Sequence, residues 1–126
     1  MTDGTRLARV LIADDERDIV ELVAFVLGRA GYEIDKADDG EQALRLIRER
    51  RPALCILDGR MPELAGFEIL KVLRADPETS GIPVLILTAT VDEERSIRRH
   101  GVEPHGFMRK PFEADALLAE VGRLLK

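Results

Sequence analysis

Five short apolar runs alternate with five stretches of helical periodicity along the chain, and this alternation limits the possible folds more than any other feature. Strands separated by helices cannot pair as hairpins; they form a parallel sheet whose crossover helices pack on its faces. The predicted strands are Arg9 to Ala13, Glu33 to Ala37, Leu54 to Leu57, Val84 to Leu87 and a weaker Gly106 to Met108. LCIL and VLIL are apolar at every position, as in central strands covered on both faces, whereas YEIDKA alternates and fits an edge. A doubly wound α/β layout follows. At 126 residues the chain has the length of one domain, and a single domain over residues 1–126 is expected.

The helices read from spacing. Ile19, Leu22, Val23, Val26, Leu27 and Ala30 mark the first, with Gly31 where a left-handed cap belongs. Ala43, Leu44 and Ile47 mark a second that ends before Pro52, and Phe67, Leu70 and Leu73 a third that ends before Pro77. Ala114, Leu117, Leu118, Val121 and Leu125 mark the fifth. The fourth, Asp92 to His100, has only Ile97 as a strong apolar anchor and is expected to be loosely held.

Composition excludes several classes of function. Nineteen Lys and Arg against 24 Asp and Glu give a net charge of -5, which disfavours binding nucleic acid through phosphate neutralisation, so none is expected as a direct partner. The basic run Arg95, Arg98 and Arg99 reads as a solvated or protein-docking face. One cysteine, Cys55, precludes an internal disulfide, and with no signal-like or membrane-length apolar run a cytoplasmic location with no membrane contact is expected. No Gly-rich phosphate loop follows the first strand. DKADDGE lacks calcium-loop ligands at Ala37 and Leu46, and His100 and His105 have no companions for a zinc site.

In open α/β sheets ligands bind beyond the carboxyl ends of the strands, where the winding reverses. Strand one runs into Asp14 and Asp15, strand three into Asp58, strand four into Thr88 and strand five into Lys110. A flavodoxin-like order 2-1-3-4-5 with five helices makes strands one and three neighbours and gathers the three acids in one crevice. Crowded carboxylates repel unless a cation joins them, and a hard divalent ion such as Mg²⁺ fits oxygen ligands, with Lys110 balancing the remaining charge. Each residue alone has a blander reading: an acidic pair can be a solvated turn and helix cap, a threonine a strand residue, a lysine surface. Their joint placement at four strand ends argues for a site.

These residues resemble the receiver (CheY-like) domain of two-component response regulators over nearly the whole chain. VLIADDE, LDGRMPELAGFEIL, RADPETSGIPVLILTAT and FMRKPF stand in that family's order and spacing. The resemblance implies Asp58 as acceptor of a phosphoryl group from a histidine kinase or phosphotransfer protein. It places Mg²⁺ among Asp14, Asp15, Asp58 and the backbone carbonyl of Arg60. Thr88 is then the switch hydroxyl, Phe107 the switch aromatic and Lys110 the lysine that pairs with the phosphoryl. A cis peptide before Pro111 is implied, as is an output face formed by the fourth helix, fifth strand and fifth helix and read by a downstream protein or a second copy. Three features depart from the pattern: Ala65 in place of a frequent Asp, a segment from Gly101 to Phe107 about two residues longer, and the Arg60 side chain, which could pair with nearby acids.

Two other functions share the chemistry. A Mg²⁺-dependent aspartyl-phosphate hydrolase would carry a DxD after strand one and a capping insertion, neither of which is present. A receiver-like scaffold that is never phosphorylated would not need Asp58, Thr88 and Lys110 together. A switch that is not a turnover enzyme is the expectation.

Overall fold

The computed structural model describes residues 8–62 and 64–126; Glu63, inside LDGRMPELAGFEIL, lies outside them. Strands β1 (Arg9–Ala13), β2 (Glu33–Ala37), β3 (Leu54–Asp58), β4 (Val84–Thr88) and β5 (Gly106–Arg109) alternate with helices α1 (Arg17–Arg29), α2 (Gly40–Arg50), α3 (Gly66–Ala75), α4 (Val91–Arg99) and α5 (Ala114–Leu124). The strands form one parallel sheet in the order β2-β1-β3-β4-β5, the expected flavodoxin-like winding. β3 and β4 are buried throughout, and the partly exposed β2 is an edge. Strands three, four and five run one residue past their apolar cores, taking in Asp58, Thr88 and Arg109. Asp58 pairs with Leu87 and Thr88 with Arg109. The ladder is built from backbone groups and continues where side-chain hydropathy stops.

Period-two alternation sends the strand residues into two separate cores. Leu11, Cys55, Leu57, Val84 and Ile86 pack with Ile47, Ile69, Leu73 and Ile97, beneath α2, α3 and α4. Val10, Ile12, Leu54, Ile56, Leu85 and Leu87 pack with Val23, Leu27, Leu117 and Val121, beneath α1 and α5. Each fully buried Leu or Ile contributes about 1.5–3 kcal/mol. The runs are continuously apolar because both faces are covered. Cys55 belongs to the first core, and burial pushes its thiol pKa up to about 12.

Local chemistry sets the helix ends. After α1, Gly31 adopts φ 105°; its N–H donates to the Gly28 carbonyl at 3.0 Å and that of Tyr32 to the Leu27 carbonyl at 3.1 Å, closing a Schellman motif. Asp39 caps α2, accepting from the Gln42 N–H at 2.8 Å, and Thr90 caps α4, accepting from the Glu93 N–H at 3.1 Å. The Thr90 cap starts α4 at Val91, one residue before its apolar pattern suggested. Ala65 is the N-cap of α3, and the Glu68 side chain accepts from its N–H at 2.8 Å. Alanine has no oxygen to return the bond, so half of a capping box is missing. Ala65→Ser, in the extended backbone conformation already present there, is expected to raise stability by about 1 kcal/mol in urea unfolding; an unchanged midpoint would show that the first turn gains nothing from a cap.

The segment leading into β5 folds onto the amino end of β4. The His105 N–H donates to the Val84 carbonyl at 2.9 Å, and its ring Nδ1 accepts from the Val84 N–H at 3.2 Å. Arg74 of α3 also reaches Nδ1, at 3.2 Å, so the ring is neutral with its proton on Nε2. Burial, and then the Arg74 charge, lower the His105 pKa. The peptide bond between Lys110 and Pro111 is cis, as the resemblance implied.

Candidate functional site

The carboxyl ends of β1, β3, β4 and β5 open into a cleft of about 270 Å³ lined by Asp15, Glu16, Asp58, Arg60, Ala89, Glu93 and Lys110. Carboxylate oxygens of Asp14, Asp15 and Asp58 lie within 4.8 Å of one another. The winding reversal between β1 and β3 brings them together, as predicted.

Asp14 combines both readings of the acidic pair. Its Oδ1 accepts from the Glu16 N–H at 2.9 Å, forming the turn into α1. Its Oδ2 is buried and paired with Lys110 Nζ at 2.8 Å. A desolvated carboxylate crowded by two others carries more negative charge than one ammonium balances, and its oxygens are good ligands for a hard cation. Asp15 is exposed at the cleft mouth. The residues fit a divalent ion bound through oxygen.

Asp58, 5% exposed at the end of β3, accepts from the Arg60 N–H at 3.3 Å and has Lys110 Nζ at 3.4 Å. Burial, and then the Asp14 charge, raise its pKa to about 7 against the opposing pull of Lys110. Burial alone would lower the Lys110 pKa, but contacts with Asp14, Glu16 and Asp58 more than offset it and hold the ammonium above its ordinary value. The Lys110 side chain is therefore a fixed cation beside a carboxylate.

Thr88 is fully buried at the end of β4, and its hydroxyl donates to Glu94 Oε2 at 3.1 Å. Phe107 on β5 is half-buried against the α2–α3–α4 core, with the Arg98 guanidinium 4.7 Å from its ring centre. Arg60 pairs with Glu93 at 3.3 Å. Sequence reasoning passed over three acids: Glu16, 3.0 Å from Lys110, Glu93 and Glu94. Glu93 and Glu94 change the picture of α4. Ile97 is its buried apolar anchor, as expected, but Glu93 accepts from the Ala89 N–H at 3.4 Å and Glu94 takes the Thr88 hydroxyl, so its first turn is tethered by polar contacts.

The comparisons with known proteins agree with this geometry. The model of the response regulator receiver domain matches residues 10–122. The chain is 36% identical over 117 residues to the phosphate regulon transcriptional regulatory protein PhoB of Pseudomonas aeruginosa, covering 93% of this chain and 51% of the relative. It is 34% identical over 122 residues to the DNA-binding response regulator MtrA of Mycobacterium tuberculosis, covering 97% and 52%. The chain thus spans about half the length of the curated relatives it matches. The chemotaxis response regulator CheY4 of Vibrio cholerae superposes with a TM-score of 0.87 at 34% identity, over 94% of this chain and 99% of that one. The chain belongs to the response regulator receiver domain family, and as such is a phosphorylation-activated signalling switch.

Proposed function

We propose that Asp58 is the phosphoacceptor and that Asp14, Asp15, Asp58 and the Arg60 backbone carbonyl hold Mg²⁺. The observation that carries this reading is the convergence of the Asp14, Asp15 and Asp58 carboxylate oxygens within 4.8 Å of one another, with Asp14 and Asp58 buried beside Lys110. A carboxylate oxygen of Asp58 attacks the phosphorus of a phosphohistidine on a histidine kinase or phosphotransfer protein. The P–N bond breaks as the O–P bond forms, and the imidazole leaves with its electron pair. Mg²⁺ supplies charge neutralisation on the transferring oxygens. Lys110 pairs with one phosphoryl oxygen, Thr88 donates its hydroxyl to another, and Phe107 follows Thr88 inward.

The rearranged face of α4, β5 and α5 is then read by a downstream protein or a second copy of the chain. Residues 1–126 act as one receiver domain in the cytoplasm, assisting transfer to and from Asp58 without turnover of an external substrate. DNA binding, named for the curated relatives, is not assigned to this segment, whose net charge is -5.

Incubation with acetyl phosphate should add one hydroxylamine-labile phosphoryl group per chain when Mg²⁺ is present and none in EDTA. Asp15→Asn should raise the Mg²⁺ needed at least about tenfold, since even an outer-shell partner is worth that much. Labelling in EDTA at the rate seen with Mg²⁺ would refute the metal assignment.

A further inference from the structure

We propose that Glu94 is a positioning residue that holds the Thr88 hydroxyl away from Asp58, with Arg109 holding Glu94 in turn. The inference rests on the phosphoacceptor reading above. Thr88 is fully buried, so its single hydroxyl proton has no solvent alternative and goes to one acceptor at a time. In this structure that acceptor is Glu94 Oε2, at 3.1 Å. The same oxygen accepts from Arg109 at 3.1 Å, and Arg109 stands opposite Thr88 in the β4–β5 ladder. One carboxylate thus joins the carboxyl end of β4, the carboxyl end of β5 and the first turn of α4. The Glu94 side chain is only 14% exposed, which protects the contact from screening by water and salt.

The arrangement makes the hydroxyl a contested group. A phosphoryl oxygen at Asp58 obtains the Thr88 proton only by taking it from Glu94, and both bonds are charge-assisted. When the hydroxyl leaves, Glu94 keeps Arg109, and α4 loses the Glu94 contact to the end of β4, while Glu93 still holds Arg60 and the Ala89 N–H. The Glu94 contact therefore opposes the switched state, and its strength sets how much ligand is needed to reach that state. A hydrogen bond to a charged acceptor is worth about a tenfold change in such an equilibrium.

The test titrates the full chain with beryllofluoride in Mg²⁺ and follows amide shifts in β4, α4 and β5 by NMR. Glu94→Ala is expected to lower the midpoint about tenfold, and Glu94→Gln, which keeps an oxygen acceptor but loses its charge, to fall between Glu94→Ala and wild type. Thr88→Ala has no hydroxyl to contest, so adding Glu94→Ala to it should move the midpoint by no more than about twofold. Arg109→Met should shift the midpoint in the same direction by a smaller amount, and it guards against α4 failing to form without Glu94. A Glu94→Ala midpoint within about twofold of wild type, or an equal shift in the Thr88→Ala background, overturns the inference. In both of those cases the wild type still titrates and the phosphoacceptor reading stands. A wild type that does not respond to beryllofluoride overturns that reading, and this inference with it.

Discussion

Asp58→Asn is expected to lose phosphoryl labelling completely and, in the same molecule, to gain stability. The labelling loss follows from removing the nucleophilic carboxylate; an amide cannot form the acyl phosphate. The gain follows from the electrostatics. The Asp58 pKa is raised from 3.8 to about 7 on folding, by burial first and the Asp14 charge second. Between those values the folded state binds the proton and the unfolded state does not, so ionising Asp58 works against folding. That cost is absent below the lower value and complete above the upper one. Asn has the shape of Asp without the charge. Metal-free Asp58→Asn should therefore be more stable than wild type by about 1–3 kcal/mol near pH 8, with the difference shrinking towards about pH 4. Mg²⁺ should stabilise the wild type and leave the variant nearly unmoved. Urea unfolding at both pH values, alongside acetyl phosphate labelling, measures each part. A stability gain that did not depend on pH would remove Asp58 as the source of the strain.

Gly66→Ala is expected to cost roughly 3 kcal/mol, a fall in melting temperature on the order of 10 °C. A Cβ at Gly66 would lie 2.6 Å from the Asp58 carbonyl oxygen and 3.3 Å from its carbonyl carbon, and backbone cannot rotate aside as a flexible side chain can. The first turn of α3 would have to back away from the end of β3, moving Asp58 with it. Gly122→Ala is the control. Nothing lies within 4 Å of a Cβ added at that position in α5, so it should stabilise by about 0.5–1 kcal/mol, through helix propensity alone. Thermal melts of the two variants separate close backbone approach from a general effect of glycine, and equal melting temperatures would dismiss the steric account.

The extent to which this molecule is legible in its sequence depends on range. LCIL and VLIL announce central strands because burial on both faces removes every polar position. Asp14, Asp15, Asp58, Thr88 and Lys110 stand out because each follows a strand. Glu16, Glu93 and Glu94 do not stand out because acids at or just inside a helix start ordinarily face solvent and complement the helix dipole. Nothing local separates such a residue from one that reaches Lys110, Arg60 or Thr88, which depends on how far two elements stand apart. The apolar runs stop one residue short of the strand ends at Asp58, Thr88 and Arg109 for a related reason: a polar side chain ends an apolar run but not a backbone ladder. The tethering of α4 was invisible to a count of apolar anchors, because polar contacts hold its first turn.

Lys110 and Glu16, paired across the cleft, are 94 residues apart in the chain. The acids come from the turn after β1 and from the end of β3, two strands that pair in the sheet, while the ammonium that neutralises them stands just past the last strand, β5. An assembled β2-β1-β3 unit would carry a cluster of like charges with no internal partner. The Lys110 ammonium, a divalent cation from solution or protonation of Asp58 relieves it. Charge balance therefore ties the beginning of the domain to its end.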